Sequence, residues 1–332
     1  MKKAAILFLK VAIPLALFAY LLGRVDPEHY RVFWEQPKRW DLMTLALASA
    51  FLAIIISFMR WRSLVRAFQI PFTPGEALRL GFLGYLLNFI SFGSVGGDLF
   101  KAILVAKDRP QRRPEAVASV LLDRAIGLLG LVLLASMSLI AFSGSGLPTP
   151  LIVIRDWATA VALASLVALL TAIYAGAWFD RLIDWGSGIP VVGKALARMA
   201  RALRLLRHQH LTLLGVIVAS VGVHTLLAFS IYLISCGAYT ECPSFADHLM
   251  VVPPALAAGA LPLAPGGLGY QEAAIAKLFE TLPDVPEGYS GMLVATIYRL
   301  VTIVIAGFGL PFYWSKQVRE VQDVAAQAEF TS

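Results

Sequence analysis

Long apolar runs leave this chain few possible folds. Hydrophobic side chains make up 58% of its 332 residues and charged side chains only 15%, with a mean hydropathy of +0.74. Soluble domains carry about 25% charged residues, so the composition excludes an ordinary water-soluble protein. We predict an all-α polytopic membrane protein, with a single integral membrane domain over residues 1–315 and a short polar tail over 316–332.

The apolar runs divide into full spans and shorter pieces. A helix needs about 20 apolar residues to cross a bilayer core of about 30 Å. The six predicted spans cover residues 6–22, 42–59, 116–142, 151–177, 211–235 and 290–314. Two pairs of shorter segments, 77–92 with 98–107 and 246–263 with 269–281, flank glycine-rich stretches. Several of these pieces are too short to cross, so we expect two re-entrant helical hairpins.

Basic residues set the predicted orientation. Lysines and arginines gather near the N-terminus, over 60–66, 107–113 and 194–207, and after residue 315, whereas the segment 143–150 has no charge. Because lysine and arginine accumulate in cytoplasmic loops, both termini and the tail are predicted to be cytoplasmic.

The two glycine-rich stretches, Ser91–Asp98 leading to Lys107 and Leu261–Gly269 leading to Lys277, resemble each other. With the charge-based orientation, the first hairpin opens to the cytoplasmic side and the second to the outer side. The halves over about 42–142 and 211–314 are therefore predicted to form an inverted repeat. Broken helices at matching places in inverted halves are typical of transporters. The alternative is that glycine only permits the sharp reversal of each hairpin.

Charged residues inside the apolar segments are the candidate functional residues. Even on the lenient insertion scale, a charge at the bilayer centre costs about 2.5–3.5 kcal/mol, so it needs a partner or water. These residues either neutralise each other around a shared cavity or only lock the bundle as buried ion pairs. The intramembrane charges are Asp98, Lys101, Asp123, Arg124, Glu272, Lys277 and Arg299.

Arg124 and Arg299 occupy corresponding places in the two halves. A guanidinium group keeps its charge in an apolar medium and binds phosphate through two parallel hydrogen bonds. The glycine loops add backbone N–H groups at helix starts, which favour anions. Because Asp98 is expected to cap the first loop where Leu268 stands in the second, we expect the loop around Gly266 to be the better anion site. The predicted lipid headgroup and cavity residues are Arg124, Arg299, Asp98, Lys101, Asp123, Glu272, Tyr298, Gly96, Gly97, Gly266, Gly267 and Gly269.

Two further features each allow two interpretations. The stretch Val191–His210 alternates basic and apolar residues, which fits either an amphipathic helix on the inner leaflet or an ordinary basic loop. Cys236 and Cys242 form either a disulfide or two isolated thiols. The histidines show no metal-ligand spacing.

The motifs at 96–101, 123–124, 265–272 and 298–299 together resemble the lysylphosphatidylglycerol synthase transmembrane (flippase) family, over roughly residues 5–315. The resemblance implies a multi-pass protein of the bacterial plasma membrane that moves lipids between leaflets. Bifunctional members carry an aminoacyl-tRNA-dependent transferase domain after the membrane part, and this chain is expected to be a stand-alone member without it. The implied substrate is a phospholipid or a polyprenyl-phosphate-linked lipid.

Three classes of function are open at this point. The first is a lipid flippase or transporter. The second is a polytopic membrane enzyme, such as a lipid-linked prenyl or glycosyl transferase using Asp98 or Asp123, although no metal motif or nucleophile–base pair is visible. The third is a non-transporting assembly partner of a synthase or glycosyltransferase. We expect no enzyme activity, cofactor, metal or nucleic acid partner, and the oligomeric state is not predicted.

Overall fold

The computed structural model describes residues 16, 19–23, 25–90, 96–142, 146–174, 204–260 and 267–313. Every regular element within those ranges is a helix, so the fold is all-α as predicted. The helices are α1 (Pro27–Glu35), α2 (Trp40–Ala67), α3 (Pro74–Ile90), α4 (Gly96–Asp108), α5 (Arg113–Ala141), α6 (Thr149–Tyr174), α7 (His210–Ala238), α8 (Phe245–Gly259), α9 (Tyr270–Phe279), α10 (Gly291–Gly307) and α11 (Leu310–Tyr313).

Four of these helices, α2, α5, α6 and α7, are long and apolar enough to cross a membrane. They coincide with the predicted spans over 42–59, 116–142, 151–177 and 211–235. The first predicted span, 6–22, falls mostly outside the described residues.

The last predicted span is shorter than the sequence suggested. Helix α10 ends at Gly307 rather than at residue 314, and the separate turn of α11 follows. A Cβ atom at Gly309 would lie 2.5 Å from the carbonyl oxygen of Phe82, so the chain turns where it packs directly on the backbone of α3. The prediction of one continuous helix over 290–314 is therefore wrong at its C-terminal end.

Helices α2 and α7 pack against each other along their length and form the centre of the bundle. Serine hydroxyls link them: Ser230 donates to the carbonyl of Ala46 at 2.8 Å, and Ser49 donates to that of Leu226 at 2.9 Å. In lipid, helices associate through close packing and hydrogen bonds of this kind, because the solvent is itself apolar. Helices α5 and α10 also pack on this centre.

Two helical pairs flank the centre: the first pair is α3 with α4, and the second pair is α8 with α9. In each, glycine lets two backbones touch. A Cβ atom at Gly97 would lie 1.9 Å from the carbonyl oxygen of Gly84, and one at Gly267 would lie 2.5 Å from that of Gly259. Helices α4 and α9, with 13 and 10 residues, are too short to cross a bilayer core. In the two connecting loops, residues 91–95 and 261–266 fall outside the described residues.

A disulfide joins Cys236 to Cys242 just where α7 ends, which resolves the alternative left open by the sequence. Beside it, the buried Ser235 hydroxyl hydrogen-bonds His248 at 2.8 Å and Tyr289 at 2.9 Å, linking α7 to α8 and to the start of α10. Most of the basic stretch Val191–His210 lies outside the described residues.

Candidate functional site

Glu272 and Arg299 form a deeply buried ion pair. Glu272 is the third residue of α9, and Arg299 lies midway along α10. The arginine Nε donates to Oε1 of Glu272, and the two side chains are only 5% and 1% exposed. The other carboxylate oxygen accepts the backbone N–H of Gly269 at 2.7 Å. Both oxygens of this carboxylate therefore accept hydrogen bonds, and the pair is closed to an approaching ligand.

Asp98 forms the corresponding pair in the first half of the chain. It is the third residue of α4, and the Nε of Arg124, on α5, donates to its Oδ2. A second cation, Lys101, lies 2.6 Å from Oδ1 and 4.9 Å from the ring centroid of Trp61. The Arg124 side chain is 39% exposed, far more than that of Arg299. This pair is thus open to an approaching ligand where the other is not.

The two pairs share one construction: an acid in the first turn of a short helix, held by the arginine of the helix that follows. This corrects the sequence argument, which set Asp98 against Leu268. By position and by contact, the counterpart of Asp98 is Glu272, and its carboxylate already accepts the N–H of Gly269. The expectation of a better anion site around Gly266 stays a prediction, because Gly266 itself lies outside the described residues.

Asp123 is bound to a residue that the sequence did not nominate. The Nε of Arg60 donates to Oδ1 of Asp123 at 2.9 Å, and its Nη1 donates to the Ser220 hydroxyl at 2.9 Å. The Arg60 side chain is 6% exposed, so this cluster ties α2, α5 and α7 together inside the bundle. The sequence predicts Arg60 only as one of the basic residues at a cytoplasmic boundary. The need of Asp123 for a partner was the signal that could have identified it.

The remaining candidates lie around these pairs. Tyr298 is buried beside Arg299, whose Cζ lies 6.0 Å from the ring centroid of Phe89 on α3. The second ion pair therefore reaches the first helical pair. Lys277 lies near the end of α9, 77% exposed and paired with Glu280 at 3.0 Å, so it belongs to neither buried cluster. Gly96 begins α4 and Gly97 lies directly before Asp98, whereas Gly269 is the N-cap of α9, three residues before Glu272.

The chemistry available here is anion binding by guanidinium groups and by N–H groups at helix starts. Each acid in the two pairs is engaged by a cation in the bundle. Across the described residues, no cluster of three histidine, cysteine or acidic side chains is arranged to hold a metal ion.

Comparison with known families gives a match that spans nearly the whole bundle. Residues 7–309 match the family described as the lysylphosphatidylglycerol synthase TM region. A comparison with curated protein sequences finds no match. The matched region includes every described helix through α10, and with it both ion pairs and the Arg60 cluster. The chain belongs to the lysylphosphatidylglycerol synthase transmembrane-region family.

Proposed function

We propose that this protein is a lipid flippase or transporter that moves a phosphate-bearing lipid between the two leaflets. The substrate class is a phospholipid or a polyprenyl-phosphate-linked lipid. Membership of a family of membrane proteins linked to lipid supports a lipid-related role. The arginines of the two ion pairs, Arg124 and Arg299, supply the phosphate ligands, next to the glycine-rich starts of α4 and α9 that carry the paired acids.

The unequal exposure of the two arginines carries this proposal. The pairs are built alike, yet the Arg124 side chain is 39% exposed and that of Arg299 only 5%. Two equivalent sites, one open and one closed, are what a single state of an alternating-access cycle would present. In the opposite state the exposures of Arg124 and Arg299 would exchange.

Each carboxylate has a second stabilising partner that would let its arginine turn to a lipid phosphate. If Arg124 leaves Asp98, Lys101 still lies 2.6 Å from that carboxylate. If Arg299 leaves Glu272, the N–H of Gly269 and the positive end of the α9 dipole remain. The exchange therefore leaves neither carboxylate without a partner, which lowers the cost of receiving and releasing a ligand.

The proposed arrangement in the membrane has the two helical pairs as re-entrant hairpins entering from opposite faces, with both termini cytoplasmic in the bacterial plasma membrane. The disulfide supports this orientation, because disulfides persist in oxidising compartments and Cys236 and Cys242 lie at the proposed outer end of α7. The basic residues near the C-terminal end of α2 and after α4 then lie on the cytoplasmic side.

Reconstitution tests the proposal. Wild-type protein and the Arg124→Gln/Arg299→Gln double variant are placed in liposomes with a fluorescent phospholipid, and translocation is followed with a membrane-impermeant quencher. We expect the double variant to lose the protein-dependent rate. Arg31→Gln is the matched control, since Arg31 is exposed and pairs with Glu28 and Glu35 on its own helix, α1. Equal translocation by the folded double variant would refute the assignment.

A further inference from the structure

A groove of about 610 Å³ runs between α2 and α7, at the end of the bundle where α2 finishes and α7 begins. Among the described residues, three arginines line it, Arg60, Arg62 and Arg66, and no aspartate or glutamate does. It is separate from the two ion pairs, because neither Arg124 nor Arg299 contributes to its lining. The groove therefore has a positive character of its own.

The positive charge of this groove is only partly neutralised. Arg60, at its buried side, is paired with Asp123. Arg62 donates its Nε to the carbonyl of Phe72 at 3.1 Å, a neutral acceptor, and Arg66 is exposed. Within the described residues, neither Arg62 nor Arg66 has a carboxylate within ion-pair distance. Two guanidinium groups thus face the groove without a counter-charge, an arrangement that attracts a phosphate.

The rest of the lining fits an amphiphile better than a soluble anion. The α2 wall changes from Arg66 and Arg62 to the apolar Met59 and Ile56 over ten residues, about 15 Å of helix. The facing side of the groove, on α7, is open at Gly215, because no other group lies within 4 Å of its Cβ position. A ligand with a phosphate at the arginine end and an apolar body along Met59 and Ile56 matches both parts.

We propose that this groove binds the phosphate group of an anionic phospholipid from the adjacent leaflet, at a site distinct from the translocation arginines. The headgroup lies against Arg62 and Arg66, and the glycerol and upper acyl chains follow the apolar wall toward the membrane centre. Soluble phosphate esters carry the same phosphate group, so the experiment must distinguish a bound lipid from a bound soluble ester.

The test measures binding of short-chain lipids to the purified full-length protein in detergent. Dioctanoyl phosphatidylglycerol is the probe, with dioctanoyl phosphatidylcholine and glycerol 3-phosphate as comparisons. Titrations use the Arg124→Gln background, in which the proposed open translocation site is weakened, so binding reports on the groove whether or not the transport proposal survives. We expect this protein to bind phosphatidylglycerol at least about tenfold more tightly than phosphatidylcholine, because only the former keeps a net negative charge.

Two unrelated changes should weaken this binding. Arg66→Gln removes a charge from an exposed position, and Gly215→Leu fills the groove without removing any charge. Each should raise the dissociation constant at least about tenfold, because Arg66→Gln removes one charge-assisted contact and Gly215→Leu blocks access to the apolar wall of α2. Gly222→Leu is the matched control, because Gly222 lies on the same helix, is equally open and is outside the groove.

Three results would overturn the proposal: unchanged binding in both Arg66→Gln and Gly215→Leu, equal loss in Gly222→Leu, or glycerol 3-phosphate binding as tightly as the lipid. The last would show a site for soluble phosphate. Thermal unfolding of each variant establishes that it is folded before titration, and the two groove variants act by different routes, so misfolding of one leaves the other informative.

Discussion

Breaking the Glu272–Arg299 pair should destabilise the protein strongly, and by an amount that depends on how it is broken. Glu272→Gln removes the charge but keeps an oxygen that can accept the N–H of Gly269. It leaves Arg299, 5% exposed, without its carboxylate. Removing one partner of a buried pair costs about 3–5 kcal/mol. Glu272→Ala also leaves the N–H of Gly269 without this acceptor, which adds about 1–3 kcal/mol.

A double-mutant cycle isolates the pair itself. Glu272→Gln, Arg299→Met and the double variant are compared by their free energies of unfolding in mixed micelles titrated with dodecyl sulfate. We expect the double variant to be more stable than the sum of the single losses predicts, by at least about 1 kcal/mol, since the residues are in contact. The Lys277–Glu280 pair, 77% and 64% exposed, is the control and should couple by less than about 0.5 kcal/mol. If the losses in unfolding free energy from Glu272→Gln and Arg299→Met simply add, the two residues do not form a buried ion pair.

Three further predictions concern the glycine contacts, the disulfide and the buried arginine cluster. Gly267→Ala should lower the unfolding temperature, since its φ of +71° is unfavourable for alanine and its Cβ would meet backbone at 2.5 Å, whereas Gly222→Ala should not. An impermeant maleimide applied to intact spheroplasts should label Cys236 and Cys242 only after reduction; labelling only from the cytoplasmic face would contradict the orientation. Arg60→Met should be less stable than wild type by about 3–5 kcal/mol, because it leaves a buried aspartate unpaired. If Arg60→Met is as stable as the wild-type protein, the cluster of Arg60, Asp123 and Ser220 is not formed.

The sequence predicts the long helices well because their signal is local. Helix α5 (Arg113–Ala141) lies within three residues of the predicted span over 116–142, since an unbroken apolar run determines both. The end of α10 was not predictable in this way. The chain turns there because Gly309 packs on the backbone of Phe82, a contact made across more than 200 residues of sequence.

The candidate site was predicted in its residues but not in its pairing. Hydropathy identified Asp98, Arg124, Glu272 and Arg299 as charges that need an explanation. It did not reveal which acid holds which arginine, because that depends on where each short helix begins. Aligning the two halves by their glycines hid the equivalence of Asp98 and Glu272, whereas aligning them by the helix start shows it.

Arg60 was missed for a related reason. The predicted span ended at residue 59, where polar side chains begin, but α2 continues to Ala67 because backbone hydrogen bonds extend through a polar turn as readily as through an apolar one. The longer helix brings Arg60 level with Asp123 on α5. Side chains at the edge of an apolar run therefore merit attention wherever a neighbouring span contains an unexplained charge.

The most direct test of the account compares wild-type protein with Arg124→Lys in proteoliposomes, measuring how fast a fluorescent phospholipid in the inner leaflet becomes accessible to an external quencher. Lysine keeps the positive charge but cannot present two parallel donors to a phosphate. The account predicts that wild type accelerates translocation over protein-free liposomes and that Arg124→Lys is slower by at least about tenfold, the loss of one charge-assisted hydrogen bond. Equal rates for the two proteins would contradict a phosphate bound by the paired donors of this arginine.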